Sequence, residues 1–119
     1  MEARALKKYI RSSPRKMRLV IDMIRGRKLE DAYDILRFST QHAARDAEKV
    51  LRSAASNLGN KVTEEGNSLS EENVYVKSAW VNCGPTMKRI QPAPMGRAYR
   101  IRKRSNHLTI IVATDEENN

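Results

Sequence analysis

Several features common in membrane, secreted and zinc-binding proteins are missing from this 119-residue sequence. The longest apolar stretch, 108–113, is the size of a strand and far short of the ~18 residues that a membrane-spanning helix needs. The first ten residues lack the apolar segment of a secretory signal. Cys83 is the only cysteine, which excludes an intramolecular disulfide and a thiolate zinc cluster. These absences predict a small cytoplasmic protein with no membrane insertion.

The residue patterns of catalytic sites are also missing. His42 and His107 have no carboxylate motif beside them, and the acidic pairs at 64–65 and 71–72 lie in a polar stretch. No phosphate-binding Gly-x-x-x-x-Gly-Lys, zinc-binding His-Glu-x-x-His or nucleophile-bearing Gly-x-Ser-x-Gly is present. Cys83 is expected to be a small buried residue at a strand end. We therefore predict no enzyme, no metal and no cofactor, with a small nuclease as an unfavoured alternative.

Positive charge is abundant and unevenly distributed. The chain has 23 Lys and Arg against 14 Asp and Glu, for a net charge of +9. Residues 1–28 carry a net +8, and residues 84–107 hold seven basic residues and no acidic one. The intervening 29–83 is mildly acidic at −3. Two concentrated basic stretches on a chain that is 39% hydrophobic predict a folded domain with a polyphosphate ligand.

Hydrophobic periodicity predicts three helices and three strands, and the long segment between the last two strands predicts a protruding β-hairpin. A single domain is expected over 1–119, with an acidic, frayed tail at 114–119. The predicted elements, in chain order, are an edge strand over 3–11, helices over 14–25, 30–38 and 40–59, a surface loop over 60–73, and strands over 74–81 and 107–113.

The start and end of the first helix have specific signals. Ser13 is expected to cap the free amides, Pro14 suits the first helical position, and Gly26 ends the helix. Residues predicted to face the core are Met17, Val20, Ile21 and Ile24 in the first helix, Ala32, Tyr33 and Leu36 in the second, Ala43, Ala47, Val50, Leu51, Ala54, Ala55 and Leu58 in the third, and, by strand alternation, Leu6 with Ile10 and Val74, Val76 with Trp80.

The segment from about 83 to 107 is predicted to form the protruding hairpin. Two limbs of about 11 residues would each reach ~35 Å, comparable with the ~30–35 Å diameter of a globule of this length. The bend falls in 91–96, where two prolines fix φ and Gly96 permits a positive φ. Two strands alone are marginal in water, so the hairpin is expected to become well ordered against phosphate backbone. Residues Arg100, Arg102 and Arg104 are expected on one side of the return limb, and Tyr99 and Ile101 on the other.

The candidate nucleic-acid contacts follow from these two basic stretches. Tyr99 is the only aromatic candidate for base stacking on the limbs, so the limbs are expected to read RNA shape rather than sequence. A DNA-binding architectural protein, with the helix at 14–25 in a groove, is the alternative. The basic candidates are Arg4, Lys7, Lys8, Arg11, Arg15, Lys16, Arg18, Arg25, Arg27 and Lys28 near the start of the chain, and Lys88, Arg89, Arg97, Arg100, Arg102, Lys103 and Arg104 on the hairpin.

Several motifs resemble the bacterial family of large-ribosomal-subunit protein twenty-two. They are Ser-Ser-Pro-Arg-Lys-Met-Arg-Leu-Val at 12–20, Gly-Pro-Thr-Met-Lys-Arg-Ile at 84–90, Gly-Arg-Ala at 96–98 and Ile-Arg-Lys-Arg-Ser-Asn-His-Leu-Thr at 101–109. The resemblance covers about residues 4–113. It implies an α+β fold, in which three helices pack on a small three-stranded antiparallel sheet with a long protruding β-hairpin. It also implies a structural constituent of the large subunit that binds 23S ribosomal RNA, supports early subunit assembly and lines the nascent-polypeptide exit tunnel with its hairpin.

The resemblance also implies partners and positions. Expected partners are 23S ribosomal RNA, neighbouring large-subunit proteins, the nascent polypeptide, and macrolide antibiotics near the hairpin tip; off the ribosome the chain is expected to be a monomer. Where relatives commonly place Arg or Lys, this chain has neutral Gln91, Ala93 and Met95, which lowers the charge at the tip. The implied tip residues are Met87, Ile90, Gln91, Pro92, Ala93, Pro94, Met95 and Gly96.

Overall fold

The computed structural model describes residues 1–66, 73–92, 96 and 98–114, and it has the predicted α+β architecture. Expectations for the rest of the loop at 67–72, for the bend residues 93–95, for Arg97 and for 115–119 of the acidic tail lie outside the described residues. The expectation that the tail is frayed from 114 is wrong at Thr114, which pairs with Val74 as the last residue of a strand. The elements in chain order are β1 (Glu2–Ile10), α1 (Pro14–Ile24), α2 (Leu29–Phe38), α3 (Ala43–Glu64), β2 (Val74–Cys83), β3 (Met87–Pro92), β4 (Ala98–Lys103) and β5 (Asn106–Thr114).

The main sheet has the order β1-β5-β2, with β5 in the centre and antiparallel to both neighbours. The three helices pack on one face of this sheet. Alternate residues of β5, Leu108, Ile110 and Val112, are fully buried beneath them. The core therefore lies between one sheet face and the helices, which leaves the other sheet face without a covering helix in the described part of the chain.

Helix α1 begins and ends as its sequence predicts. The Ser13 side-chain oxygen accepts a hydrogen bond from the Lys16 amide at 3.2 Å, and Pro14 is the first helical residue. Gly26 follows the helix with φ +81°, a conformation that glycine adopts without strain. The four apolar residues predicted to face the core, Met17, Val20, Ile21 and Ile24, are all fully buried.

Helix α3 is longer at its C-terminus than predicted. It passes through Gly59 and continues to Glu64, so the expectation of a loop from residue 60 is wrong for 60–64. Val62 is buried, and the Thr63 hydroxyl donates to the Gly59 carbonyl at 2.9 Å. Burial of this extra turn outweighs the ~1 kcal/mol that an internal glycine costs a helix. At the other end, the helix begins at Ala43 instead of residue 40.

Ile10, Val74 and Val76 are buried as predicted, whereas irregularities in the two edge strands turn Leu6 and Trp80 outward. The pairing register shifts between Lys7 and Ile10 in β1 and between Val76 and Ser78 in β2. An extra residue in a strand reverses the face of every residue beyond it. Leu6 is 50% exposed and Trp80 is 39% exposed, whereas Ala3 and Ala5 of β1 and Ala79 and Val81 of β2 face the core.

Strands β3 and β4 form a separate two-stranded antiparallel sheet, which is the predicted hairpin. The molecule measures 70 × 25 × 15 Å, and its radius of gyration is 17.8 Å, against roughly 13–14 Å for a compact chain of this length. This elongation confirms that the hairpin protrudes. Strand β4 ends at Lys103, so Arg104 lies in the connection to β5.

The free edge of β2 is covered by groups from α1 and the segment after it. Arg18 donates from Nη2 to the Val81 carbonyl at 3.0 Å, and Arg25 donates from Nε and Nη2 to the Ala79 carbonyl at 3.2 and 2.8 Å. Further along the edge, the Gly26 amide donates to the Val76 carbonyl. These contacts satisfy outward-facing backbone groups of an edge strand.

The free edge of β1 is covered in the same way by α3. The Asn57 side-chain amide donates to the Arg4 carbonyl at 2.9 Å, and Lys61 Nζ donates to the Glu2 carbonyl at 2.9 Å. The last turns of α3 are therefore fixed against the strand, which is a further reason for the helix to continue beyond Gly59.

Candidate RNA interface

A cleft of about 430 Å³ lies where the first turn of α1 meets the base of the hairpin. We call it the root cleft. It brings together residues from both basic stretches, which are about 70 positions apart in sequence. Its lining residues are Pro14, Arg15, Arg18, Cys83, Gly84, Thr86, Lys88, Arg104 and Ser105.

Short hydrogen bonds hold the two limbs of the hairpin together at this cleft. The Gly84 amide donates to the Ser105 carbonyl at 2.9 Å, and the Ser105 hydroxyl donates to the Pro85 carbonyl at 2.7 Å. A Cβ on Gly84 would lie 2.5 Å from Ser105 Oγ and 3.2 Å from His107 Cε1. The limbs therefore approach so closely that glycine is the residue that fits at position 84 without a shift of its neighbours.

Asn106 connects the hairpin base to the start of α1. Its side-chain amide is fully buried and donates from Nδ2 to both the carbonyl and the hydroxyl of Ser12, at 2.9 and 2.8 Å. Ser12 precedes the N-cap residue Ser13, so this contact fixes the position of the first helical turn. As a result, Arg15 is held on the same side as the hairpin limbs.

The charge of the root cleft is entirely positive among the described residues that line it. Arg15, Lys88 and Arg104 are exposed, and none of them makes an ion pair or a side-chain hydrogen bond within the described part of the chain. Three cations without an internal partner around a concave surface raise the local positive potential. Such a site can hold phosphate oxygens through guanidinium and ammonium donors.

Arg18 and Arg25, which the sequence also suggests as nucleic-acid contacts, have structural partners. Both donate to carbonyls on the β2 edge, and Arg25 also pairs with Asp22 at 2.7 Å. Arg18 reaches the root cleft with part of its side chain, whereas Arg25 does not line it. Both arginines therefore contribute mainly to the stability of the fold, because they donate hydrogen bonds to backbone carbonyls of an edge strand.

The other basic residues near the start of the chain do not form one surface. Lys7 forms an ion pair with Asp46 at 3.7 Å. Lys28 forms an isolated backbone β-bridge with Tyr75, which lies eight residues along β2 from Cys83 of the root cleft. Eight residues of strand are about 26 Å. The basic residues near the start of the chain are therefore divided. Arg15 and Arg18 line the root cleft, and Lys7 and Arg25 have ion-pair partners. The others are exposed and spread over β1 and the residue after it, α1 and the segment after α1: Arg4, Lys8, Arg11, Lys16, Arg27 and Lys28.

On the hairpin, the structure describes the exposed side chains of Lys88, Lys103 and Arg104. The backbone register sets Lys88 opposite Arg102, Ile90 opposite Arg100 and Gln91 opposite Tyr99. Gly96 has φ +75°, as the predicted bend requires. The side chains of the other proposed hairpin contacts and tip residues lie outside the described part: Met87, Arg89, Ile90, Gln91, Pro92, Arg97, Tyr99, Arg100 and Arg102, together with 93–95.

The expectation that Cys83 is buried is wrong. It is exposed in the root cleft instead of buried, because β2 runs two residues past Val81, beyond the part of the strand that the helices cover. The cleft residues Thr86 and Ser105 were not identified from the sequence either. Their signal in the sequence is weak: each is a hydroxyl residue within the acid-free segment 84–107.

Among the described residues, no three His, Cys, Asp or Glu side chains are grouped closely enough to hold a metal ion. Within the same residues, no helix has the length and apolar character needed to cross a membrane.

Comparison with known proteins gives full-length similarities. The family described as ribosomal protein L22p/L17e matches residues 5–113. The large ribosomal subunit protein uL22 of Carboxydothermus hydrogenoformans is 50% identical over 98% of this chain and 99% of its own length. The proteins of the same name from Chlorobaculum tepidum and Thermus thermophilus are 47% and 46% identical, over 94% of this chain and 92% and 95% of theirs. These similarities confirm the resemblance identified from the sequence motifs, and the names are those of ribosomal proteins rather than of enzymes.

Proposed function

Because the chain belongs to the ribosomal protein L22p/L17e family, we propose that it is a structural constituent of the large ribosomal subunit in the cytoplasm. It binds 23S ribosomal RNA, supports early assembly of the subunit and lines the nascent-polypeptide exit tunnel with its hairpin tip. Residues 1–119 act as one RNA-binding domain, which is a monomer off the ribosome, and neighbouring large-subunit proteins are further partners.

The root cleft is the observation that carries this proposal. Arg15, Lys88 and Arg104 meet there from two distant parts of the chain, without a carboxylate among the described lining residues. Each cation that contacts a phosphate releases condensed counterions, which gives a favourable entropy that added salt opposes. The cleft therefore supports binding to the backbone of folded RNA at the base of the hairpin.

The hairpin extends this interface away from the sheet. Its strands pair only with each other in the described part of the chain, and the segment 84–107 contains seven basic residues and no acidic one. A two-stranded ribbon gains little from its own contacts. Insertion between RNA helices would supply the contacts it lacks, and RNA shape would decide where it fits.

The tip is proposed to face the tunnel and the nascent polypeptide, with macrolide antibiotics binding nearby. In this chain the neutral residues Gln91, Ala93 and Met95 make the tip less basic than the limbs. Phosphate contacts are therefore assigned to the limbs and the root cleft, and the tip is assigned to contact with the passing peptide.

RNA binding can be tested by measuring affinity for 23S ribosomal RNA fragments at several salt concentrations. The Arg15→Gln/Arg104→Gln variant is expected to reduce the slope of log K against log salt by about one for each phosphate that the protein no longer neutralises. Arg37→Gln, an exposed arginine of α2 outside both basic stretches, is the matched control and keeps the slope of the original protein. An equal slope for all three proteins would remove the root cleft from the interface.

Duplex DNA of equal length, measured at the same salt, tests the alternative of a DNA-binding architectural protein. Structured ribosomal RNA is expected to bind more tightly, because the hairpin fits between folded helices. Equal affinity for the two ligands would contradict a role specific to the ribosome.

The proposed tunnel position can be tested by cross-linking. In a Cys83→Ser background, Ala93→Cys gives the chain a single thiol at the tip. In ribosomes that carry this variant, a thiol-reactive cross-linker is expected to join it to a stalled nascent chain. A Ser56→Cys control on α3 is expected to give no such product, and equal cross-linking at both positions would contradict the assignment of the tip.

A further inference from the structure

The sheet face opposite the helices is open in the described part of the chain. The register aligns Leu6, Thr109 and Trp80 across all three strands, and Arg4, Ile111 and Ser78 in the next row. Leu6 and Trp80 are 50% and 39% exposed, whereas Thr109 between them is only 4% exposed. Large apolar side chains thus stand on either side of a small central residue.

The same face continues towards the hairpin base with a second aromatic residue. Tyr9 is 64% exposed, and its ring packs edge-on against His107 with centroids 5.0 Å apart. Its amide donates to His107 Nδ1 at 3.0 Å, and its φ of 60° is unusual for a residue other than glycine. The side chain of Tyr9 is thereby fixed in an exposed position.

The Tyr9–His107 pair lies next to the row formed by Leu6, Thr109 and Trp80, two residues further along the central strand. His107 and Thr109 are two residues apart on β5, which places the Tyr9–His107 pair and the Trp80 row about 7 Å from each other along the strand. Each row presents one exposed ring, Tyr9 or Trp80. We refer to the surface formed by Leu6, Tyr9, Trp80 and His107 as the aromatic face.

Cations border this face, which favours an anionic ligand over an apolar protein surface. Arg4 and Lys8 are exposed on β1, and Arg11 follows directly after the strand. The nearby carboxylate of Glu2 is paired with Lys77 at 3.0 Å. Aromatic rings flanked by exposed cations are the combination that holds unpaired nucleotides, since the rings stack on bases and the cations contact phosphates.

We propose that the aromatic face binds a short unpaired segment of RNA, with bases stacked on Trp80 and Tyr9 and phosphates near Arg4 and Lys8. This inference rests on the proposed function for the identity of the nucleic acid as ribosomal RNA. None of the four residues of the aromatic face lines the root cleft, and the proposed mode of recognition is different.

Trp80 is the only tryptophan of the chain, so its fluorescence reports directly on this face. Titration of the full chain with a twelve-nucleotide oligoadenylate at low salt is expected to quench the emission saturably, because a stacked base contacts the indole. Labelled oligoadenylate should bind Trp80→Leu and Tyr9→Asn about 5- to 100-fold more weakly. Asn tolerates the positive φ at position 9, and circular dichroism checks that both variants fold. Phe38→Ala, which removes a 79% exposed aromatic from α2, is the matched control and binds unchanged.

The two proposals can fail separately. Arg15→Gln/Arg104→Gln is expected to weaken binding of structured ribosomal RNA and to retain the quenching of Trp80 by oligoadenylate. Unchanged emission, together with unchanged oligoadenylate affinity in Trp80→Leu and Tyr9→Asn, would overturn the aromatic-face proposal while leaving the root cleft intact. It would then assign this face to a protein neighbour. Full retention of structured-RNA binding by the root-cleft variant would instead remove the root cleft from the proposed interface, and failure of the unmodified chain to bind structured ribosomal RNA would overturn the proposed function.

Discussion

The backbone amide of Tyr9 donates a hydrogen bond to Nδ1 of His107, 98 positions later in the chain. The contact joins the end of β1 to the start of β5 at the point where the strand register shifts. Tyr9 adopts φ 60° there, a conformation that costs a residue other than glycine of the order of 1 kcal/mol or more. The imidazole therefore stabilises a strained backbone and at the same time fixes an exposed ring.

Replacement of His107 by Phe is expected to lower stability by about 1–2 kcal/mol, because an aromatic ring is retained while the acceptor for the Tyr9 amide is removed. Urea unfolding followed by circular dichroism measures this change. In a Tyr9→Gly background, where the backbone strain is absent, the same replacement should cost less. Equal costs in both backgrounds would show that the hydrogen bond does not offset the strain.

Asn106 is the second position where a single side chain joins distant segments. Asn106→Ala removes both hydrogen bonds to Ser12, and we expect a decrease of about 2–3 kcal/mol in the free energy of unfolding. Asn106→Asp should cost more, since it places a carboxylate in a fully buried site beside a carbonyl. The exposed Asn82 serves as the control, and Asn82→Ala should change stability by less than about 0.5 kcal/mol.

A double-mutant cycle tests the close approach at the hairpin base. Gly84→Ala places a methyl group 2.5 Å from Ser105 Oγ and is expected to cost about 1–3 kcal/mol. In a Ser105→Ala background the nearest clash is absent, so the same change should cost less. Additive effects in thermal or urea unfolding would mean that the two limbs separate readily at this point.

Arginines at the β2 edge and in the root cleft are expected to have different effects. Arg25→Gln removes the donors to the Ala79 carbonyl and should lower stability by about 1 kcal/mol, a value reduced by the 46% exposure of the side chain. Arg15→Gln, which removes no described hydrogen bond or ion pair, should leave stability unchanged and weaken RNA binding. Measurement of urea midpoints and RNA affinity for both variants separates the roles. A stable Arg25→Gln protein with weak RNA binding would contradict this division.

Local signals account for the parts of the fold that the sequence predicts well. The N-cap Ser13, the first-turn Pro14 and the terminal Gly26 act within a few residues, so α1 is located correctly from sequence alone. The acid-free composition of 84–107 likewise indicates the hairpin without knowledge of its surroundings.

The sequence-based predictions fail where contacts between distant parts of the chain determine the structure. Helix α3 passes through Gly59 because Val62 packs in the core and Lys61 reaches β1. Trp80 faces outward because β2 contains an irregularity near Lys77, and the change of parity between Val74, Val76 and Ala79, Val81 is its only trace in the sequence. The sequence indicates the two basic stretches of the candidate site. Which of their arginines line the root cleft and which bind the β2 edge depends on tertiary contacts.

The covered outer strands of the main sheet have a consequence for contacts between two copies of the chain. Carbonyls that a second copy would need for intermolecular ladder formation are already occupied, by Arg18 and Arg25 on one side and by Asn57 and Lys61 on the other. A second molecule could therefore extend the sheet at these edges only after displacing those four side chains.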